Sequence, residues 1–344
     1  MSQELTLYSS PQHETLNRFF ETRTSVHLDV DGERATEDCC LVLSDQRSLS
    51  FRGIVDPEEL RQRCIAHEIS VPVYYCASSI DDLREPEAAG TSLILRAGPY
   101  CRYVQFAADA GLAYHQLAAL GEHSTVVIET LFRASVHWVL GMAHEGKIVF
   151  QDIVDVQCQS DVFQFAMGLS CPSRVNDEQR LQLRDLAIRV VEALDVRDGA
   201  FRIECLLGNE PMVTEVDLGW FNQVMPVDVF ALAGGEDYWK NQCGAIGVAC
   251  EAVGMKSGFV SLKWLYSRSG IVEGFDGVDA ASKVPGVHDV HLNARVGVSL
   301  GHVIDVVSRD ALGYAVATGS TREEAEIGSM RAVGLIDIQR KTVL

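Results

Sequence analysis

The chain has ten cysteines but no Cys-x-x-Cys pair, so the common zinc and dithiol-redox spacings are missing. No apolar run approaches the ~20 residues of a membrane-spanning helix. Its start, Met1-Ser-Gln-Glu-Leu-Thr6, lacks the basic-then-apolar order of a secretion signal. Positive charge is scarce: 29 Lys and Arg stand against 48 Asp and Glu, a net charge of −19. Both nucleic acid and anionic membranes need a positive field, so neither is expected as a partner. These absences point to a cytoplasmic protein. With 344 residues and 47% hydrophobic content, two or three packed units are expected. Cys64, Cys76, Cys205 and Cys250 stand in apolar text and read as small core residues. Cys101, beside Arg102, is the best exposed candidate for a nucleophilic thiol, because a neighbouring cation lowers a thiol pKa.

The densest chemistry lies between Gly199 and Gly219. Gly208-Asn209-Glu210-Pro211 supplies turn residues between two alternating apolar runs, which predicts a hairpin. If those four residues form the loop, Leu207 pairs with Met212, Glu204 with Glu215, and Arg202 with Asp217. Side-chain period two then puts Glu204, Glu215 and Asp217 on one face. Like charges so close repel, so the cluster calls for a cation. A hard divalent ion, Mg²⁺ above all, takes such oxygen ligands. The alternative is an exposed hairpin in which Arg202 pairs with Asp217.

Other elements are legible from punctuation. Asp56 and Pro57 open a helix with Leu60, Cys64 and Ile65 on its stripe. Val71–Cys76, 92–99 and 126–132 read as strands, and His144-Glu145-Gly146-Lys147 as a turn between strands. Asn176 with Gln179, and Thr321 with Glu324, form capping boxes. The first starts a long helix with Leu181, Leu183, Leu186, Ala187, Val190, Val191 and Leu194 at helical spacing. From about residue 255, alternating apolar strands and a terminal helix suggest an antiparallel sheet covered on one side.

The run Gly199-x-x-x-x-Glu204, followed by Glu215-Val-Asp217-Leu-Gly219, resembles the metal hairpin of the ATP-grasp superfamily, the ATP-dependent carboxylate–amine ligases. Asp217 stands where the family has Asn, and Gly219 where it has Arg. Ile69-Ser-Val-Pro72 resembles the family's entry to the ATP-binding region, and residues 255–344 resemble the C-terminal domain of its L-amino-acid ligase branch. The resemblance implies an α/β (α+β) fold with two αβ lobes. Its implied units are a reduced N-terminal unit (1–55), a first lobe (56–160), a second lobe with the metal hairpin (161–250), and a small C-terminal antiparallel-sheet domain (255–344).

It further implies that Glu204, Glu215 and Asp217 hold Mg²⁺, and that Arg96, in the family's lysine position, steadies ATP phosphate. Glu129 and the Leu131 backbone would place adenine, and His137 would touch the ribose. Asn222 and Gln223 could line an acceptor pocket or cap a helix. The implied reaction joins an amino acid or similar small carboxylate to an amine through an acyl phosphate, and a homodimer is left open. The alternative is a catalytically degenerate relative, a binding or partner subunit. That alternative draws on the missing Lys at 96, the missing glycines across Pro99-Tyr-Cys-Arg-Tyr103, and the missing Arg at 219.

Overall fold

The computed structural model describes residues 53–83, 92–98, 100–104, 109–119, 125–159, 165–218, 229–235, 240, 258–267, 270–300 and 311–341. Ahead of these it gives the backbone of four short strands, β1 (Thr6–Tyr8), β2 (His27–Asp29), β3 (Leu41–Leu43) and β4 (Ser48–Leu49). They form one sheet in the order β2-β1-β3-β4. The next segments are β5 (Gly53–Ile54), helix α1 (Pro57–Ala66) and β6 (Tyr74–Ala77). Asp56 caps α1 by accepting hydrogen bonds from the N–H groups of Glu58 and Glu59, with Pro57 in the first turn. Leu60 and Cys64 are buried as the stripe predicts, but Ile65 is exposed.

A four-stranded antiparallel sheet, ordered β6-β9-β7-β8, is completed by β7 (Leu93–Ala97), β8 (Tyr100–Val104) and β9 (Val126–Thr130). Helix α2 (Ala110–Ala118) covers one face through Ala113, Tyr114 and Leu117. Then come β10 (Ser135–His144), β11 (Lys147–Cys158), β12 (Ala166–Cys171), helix α3 (Asp177–Ala193), β13 (Gly199–Leu207) and β14 (Pro211–Leu218). The turn between β10 and β11 carries left-handed Glu145 and Gly146. Asn176 and Gln179 make the expected capping box of α3, although Leu181 faces solvent. Strands β10 and β11 pair with β13 and β12, so 135–158 lies in the same sheet as the hairpin.

The remaining described segments are helix α4 (Val229–Leu232), β15 (Phe259–Leu265), β16 (Gly270–Asp276), helix α5 (Val278–Ala281), β17 (Val287–Leu292), β18 (Ser299–Leu300), β19 (Gly313–Gly319), helix α6 (Arg322–Leu335) and β20 (Asp337–Lys341). Thr321 and Glu324 cap α6 reciprocally. Residues 295–298 make a turn. Strands β15, β17 and β19 extend the central sheet, giving nine strands in the order β17-β19-β15-β12-β11-β10-β13-β14-β5. Helices α1 and α3 bury one face of this sheet around Val139, Ile153, Ile203 and Val216. The other face carries Trp138, Val154, Leu206 and Trp264, and against it pack Phe230 of α4 and Ile94 and Cys101 of the small sheet.

Candidate active site

The hairpin forms with the acid end in the expected register: Glu204 opposes Glu215 and Arg202 opposes Asp217. Its turn end is shifted by one, so that Leu206 pairs with Met212 and Leu207 with Pro211. A β-bulge between Glu204 and Cys205 absorbs the extra residue, Thr214, and re-aims it. The Thr214 hydroxyl donates to Glu204 Oε1 at 2.8 Å, and its carbonyl accepts from Arg61 Nη2 at 2.7 Å.

Glu204, Glu215 and Asp217 do share a face and are all buried. Their counter-charge, however, is built into the chain. Arg202, 0% exposed, bonds Glu215 Oε1 and lies 3.8 Å from Asp217, with its guanidinium stacked 4.8 Å from the Trp138 ring centroid. Arg96, also buried, donates to Glu129 Oε2 and Glu215 Oε2, both at 3.1 Å, and sits 3.9 Å from Glu204. Arg61 of α1 reaches across to Glu129 Oε1. Trp138 Nε1–H donates to Glu204 Oε2 at 3.0 Å. Three guanidiniums thus face four carboxylates in one water-excluded network. Burial works against the cations of Arg96 and Arg202, but Glu129 and Glu215 around the first, and Glu215 and Asp217 around the second, hold both pKa values above the ordinary arginine value.

Magnesium requires several oxygen ligands at ~2.0–2.1 Å in near-octahedral array. Here the Arg202 guanidinium stands where such an ion would have to meet Glu215 and Asp217. Among the described residues no group of three or more His, Cys, Asp or Glu side chains could hold a metal. As arranged, these residues do not fit the ion.

The residues expected at the nucleotide have partners within the chain. Arg96 is fully committed to carboxylates, so its charge is not presented to phosphate. Glu129 is held by Arg61 and Arg96. The Leu131 N–H, expected to be available to adenine, donates to the Ser92 carbonyl at 2.9 Å. His137 lies on the other face of the nine-stranded sheet from Trp138 and Glu204, because strand side chains alternate, and it meets Asp155 instead. Cys101 is buried, not exposed, whereas Cys76, expected in the core, is exposed. Gly219, Asn222, Gln223 and Cys250 lie outside the described residues. No local motif marks Arg61 or Trp138, whose partners come from distant segments.

Comparisons with known proteins bear on this arrangement. Residues 263–340 match the family model described as L-amino acid ligase C-terminal domain 2. The curated relative "Uncharacterized protein y4rH" of Sinorhizobium fredii is 31% identical over 172 residues, 49% of this chain and 35% of its own length, so the match spans about a third of that relative. The L-amino acid ligase of Bacillus licheniformis superposes with a TM-score of 0.68 at 15% identity, covering 83% of this chain and 73% of that one. The N5-carboxyaminoimidazole synthase of Aspergillus clavatus, solved with ADP and 5-aminoimidazole ribonucleotide, superposes with a TM-score of 0.59 at 14% identity, covering 90% and 76%. The chain therefore shares the ATP-grasp fold, and residues 263–340 match an L-amino acid ligase C-terminal domain.

Proposed function

We propose that this chain uses the ligase fold as a binding or partner subunit that has given up magnesium- and ATP-dependent turnover. One observation carries the reading: Arg202, wholly buried and bonded to Glu215, supplies from within the chain the positive charge that the three acids would otherwise draw from an ion. Two features support it. Arg96 is turned inward onto Glu129 and Glu215, and Ile94 and Cys101 of the small sheet pack into the hydrophobic cluster on one face of the large sheet.

A second reading is favoured by the ligase fold and by the match over residues 263–340. In it the chain is an ATP-dependent ligase joining an amino acid or related small carboxylate to an amine, and Arg202 and Arg96 must first leave their carboxylates. Thermal denaturation and ADP release separate the two. A ligand that binds only the native state at about 100 times its Kd adds about 2.7 kcal/mol of stability. On the first reading the melting temperature is the same in EDTA, in MgCl₂ and in MgATP, and no ADP appears with any amino acid and amine pair. Magnesium-dependent ADP formation with such a pair would establish the second.

A further inference from the structure

On the face of the nine-stranded sheet remote from Arg202, a cavity of about 510 Å³ opens where the start of β10 meets β11, the loop 171–176 and the first turn of α6. Three of its lining side chains stand in line. Ser135 Oγ lies 2.8 Å from His137 Nε2, and His137 Nδ1 lies 3.0 Å from Asp155 Oδ1 in a bent contact. Their alignment follows from the sheet. Period two puts Ser135 and His137 on one face, and the antiparallel register sets Asp155 directly across from His137. Ser135 is exposed at the cavity mouth, while His137 is 4% exposed behind it.

Asp155 is itself fixed. It accepts from the Ser173 hydroxyl and from the Arg174 N–H at 3.0 Å, and Arg322 Nη1 lies 3.1 Å from its other oxygen. Burial raises its pKa, but the nearby His137 and the hydrogen bonds from Ser173 and Arg174 outweigh that and keep it low. Asp155 faces Nδ1, which leaves Nε2 to accept from Ser135, a tautomer assigned by these contacts.

We propose that Ser135 and His137 are a nucleophile and its general base, positioned by Asp155, and that the cavity takes a small carboxylic ester. Such units are recognised by geometry and role, not by sequence position or fold. The Ser135 Oγ–H proton passes to His137 Nε2 as Oγ bonds the ester carbonyl carbon. The ester C–O bond then breaks, and the leaving alcohol takes the proton from Nε2. Water next gives a proton to Nε2 while its oxygen bonds the acyl carbon; the Oγ–acyl bond breaks, Ser135 recovers the proton and the carboxylic acid departs. Arg174 lines the same cavity paired with Glu326 at 3.2 Å, and on turning from that carboxylate it supplies a cation for the oxyanion formed on the way. The bent Nδ1 contact is of the kind that straightens when substrate is bound.

The test uses the full chain in EDTA without nucleotide, so that it is independent of either reading of the ligase cleft. A fluorophosphonate probe should modify Ser135, as located by peptide mass spectrometry, and the chain should hydrolyse p-nitrophenyl acetate. Ser135→Ala, a change at an exposed side chain, should lose both while leaving the melting temperature unchanged. His137→Gln should slow labelling by about 100-fold, the scale of general-base assistance. Asp155→Asn should slow labelling of the same serine without moving the site. Failure of the wild-type chain to label at Ser135, or labelling equally fast in His137→Gln and Asp155→Asn, would overturn the proposal.

Discussion

Glu215 touches two arginines that have no water around them, so Glu215→Ala leaves both cations with less counter-charge. Removing one partner of a buried pair costs about 3–5 kcal/mol, and urea unfolding of that variant should show a loss of this size. The fold is therefore not expected to be indifferent to the change, as it would be if Glu215 only held an ion. Arg202→Ala is more informative. It removes a cation and a side chain's volume from between Glu215 and Asp217, so this variant should be destabilised in EDTA and regain part of its melting temperature with MgCl₂, while the parent chain responds to neither. Asp155 gives a pH dependence. Its folded pKa lies below the ordinary 3.8, so its stabilising contribution is complete above the unfolded value and is lost as pH falls through the folded one. Asp155→Asn should flatten stability against pH on the acid side of about pH 4, as read from urea midpoints. The convergence of the three acids was legible because period two acts over a few residues. Their arginine partners were not, since Arg61 lies 68 residues from Glu129 and Arg96 119 from Glu215; only the packing of the sheets and α1 brings them together.

Helix starts were the most readable elements, because a cap is a local bargain between one side chain and nearby orphan N–H groups. Asp56, Asn176 and Thr321 all cap where expected. Thr321→Ala should cost about 1 kcal/mol in chemical denaturation. Gly277, between β16 and α5, has φ +81°, and an added Cβ there would run into the Leu335 carbonyl oxygen. Gly277→Ala should therefore cost more than about 1 kcal/mol, measured the same way. The bulge at Thr214 escaped the sequence reading for a physical reason. An extra residue in one strand leaves the apolar pattern intact on either side and reveals itself only where the partner strand fails to keep step. The same holds for the sheet that β10 and β11 join: their alternation predicts strands but does not name their neighbours.

At the scale of the molecule, the fold was legible through a chain of weak signals in the right order, and the charge network was not, because it depends on which charges meet when distant segments pack together. No helix among the described residues is long and apolar enough to cross a membrane. The pairing of β15 with β12 binds the C-terminal quarter to the body by backbone hydrogen bonds, with Leu169 facing Leu262 and Ser170 facing Ser261 in the ladder. A chain stopped before residue 258 would thus carry a raw flank of unmatched amides and carbonyls along β12, beside apolar side chains that had lost their cover. Such a flank is a template for self-association. The shortened protein should leave a sizing column as aggregate, where a detachable module would have left a well-behaved remainder.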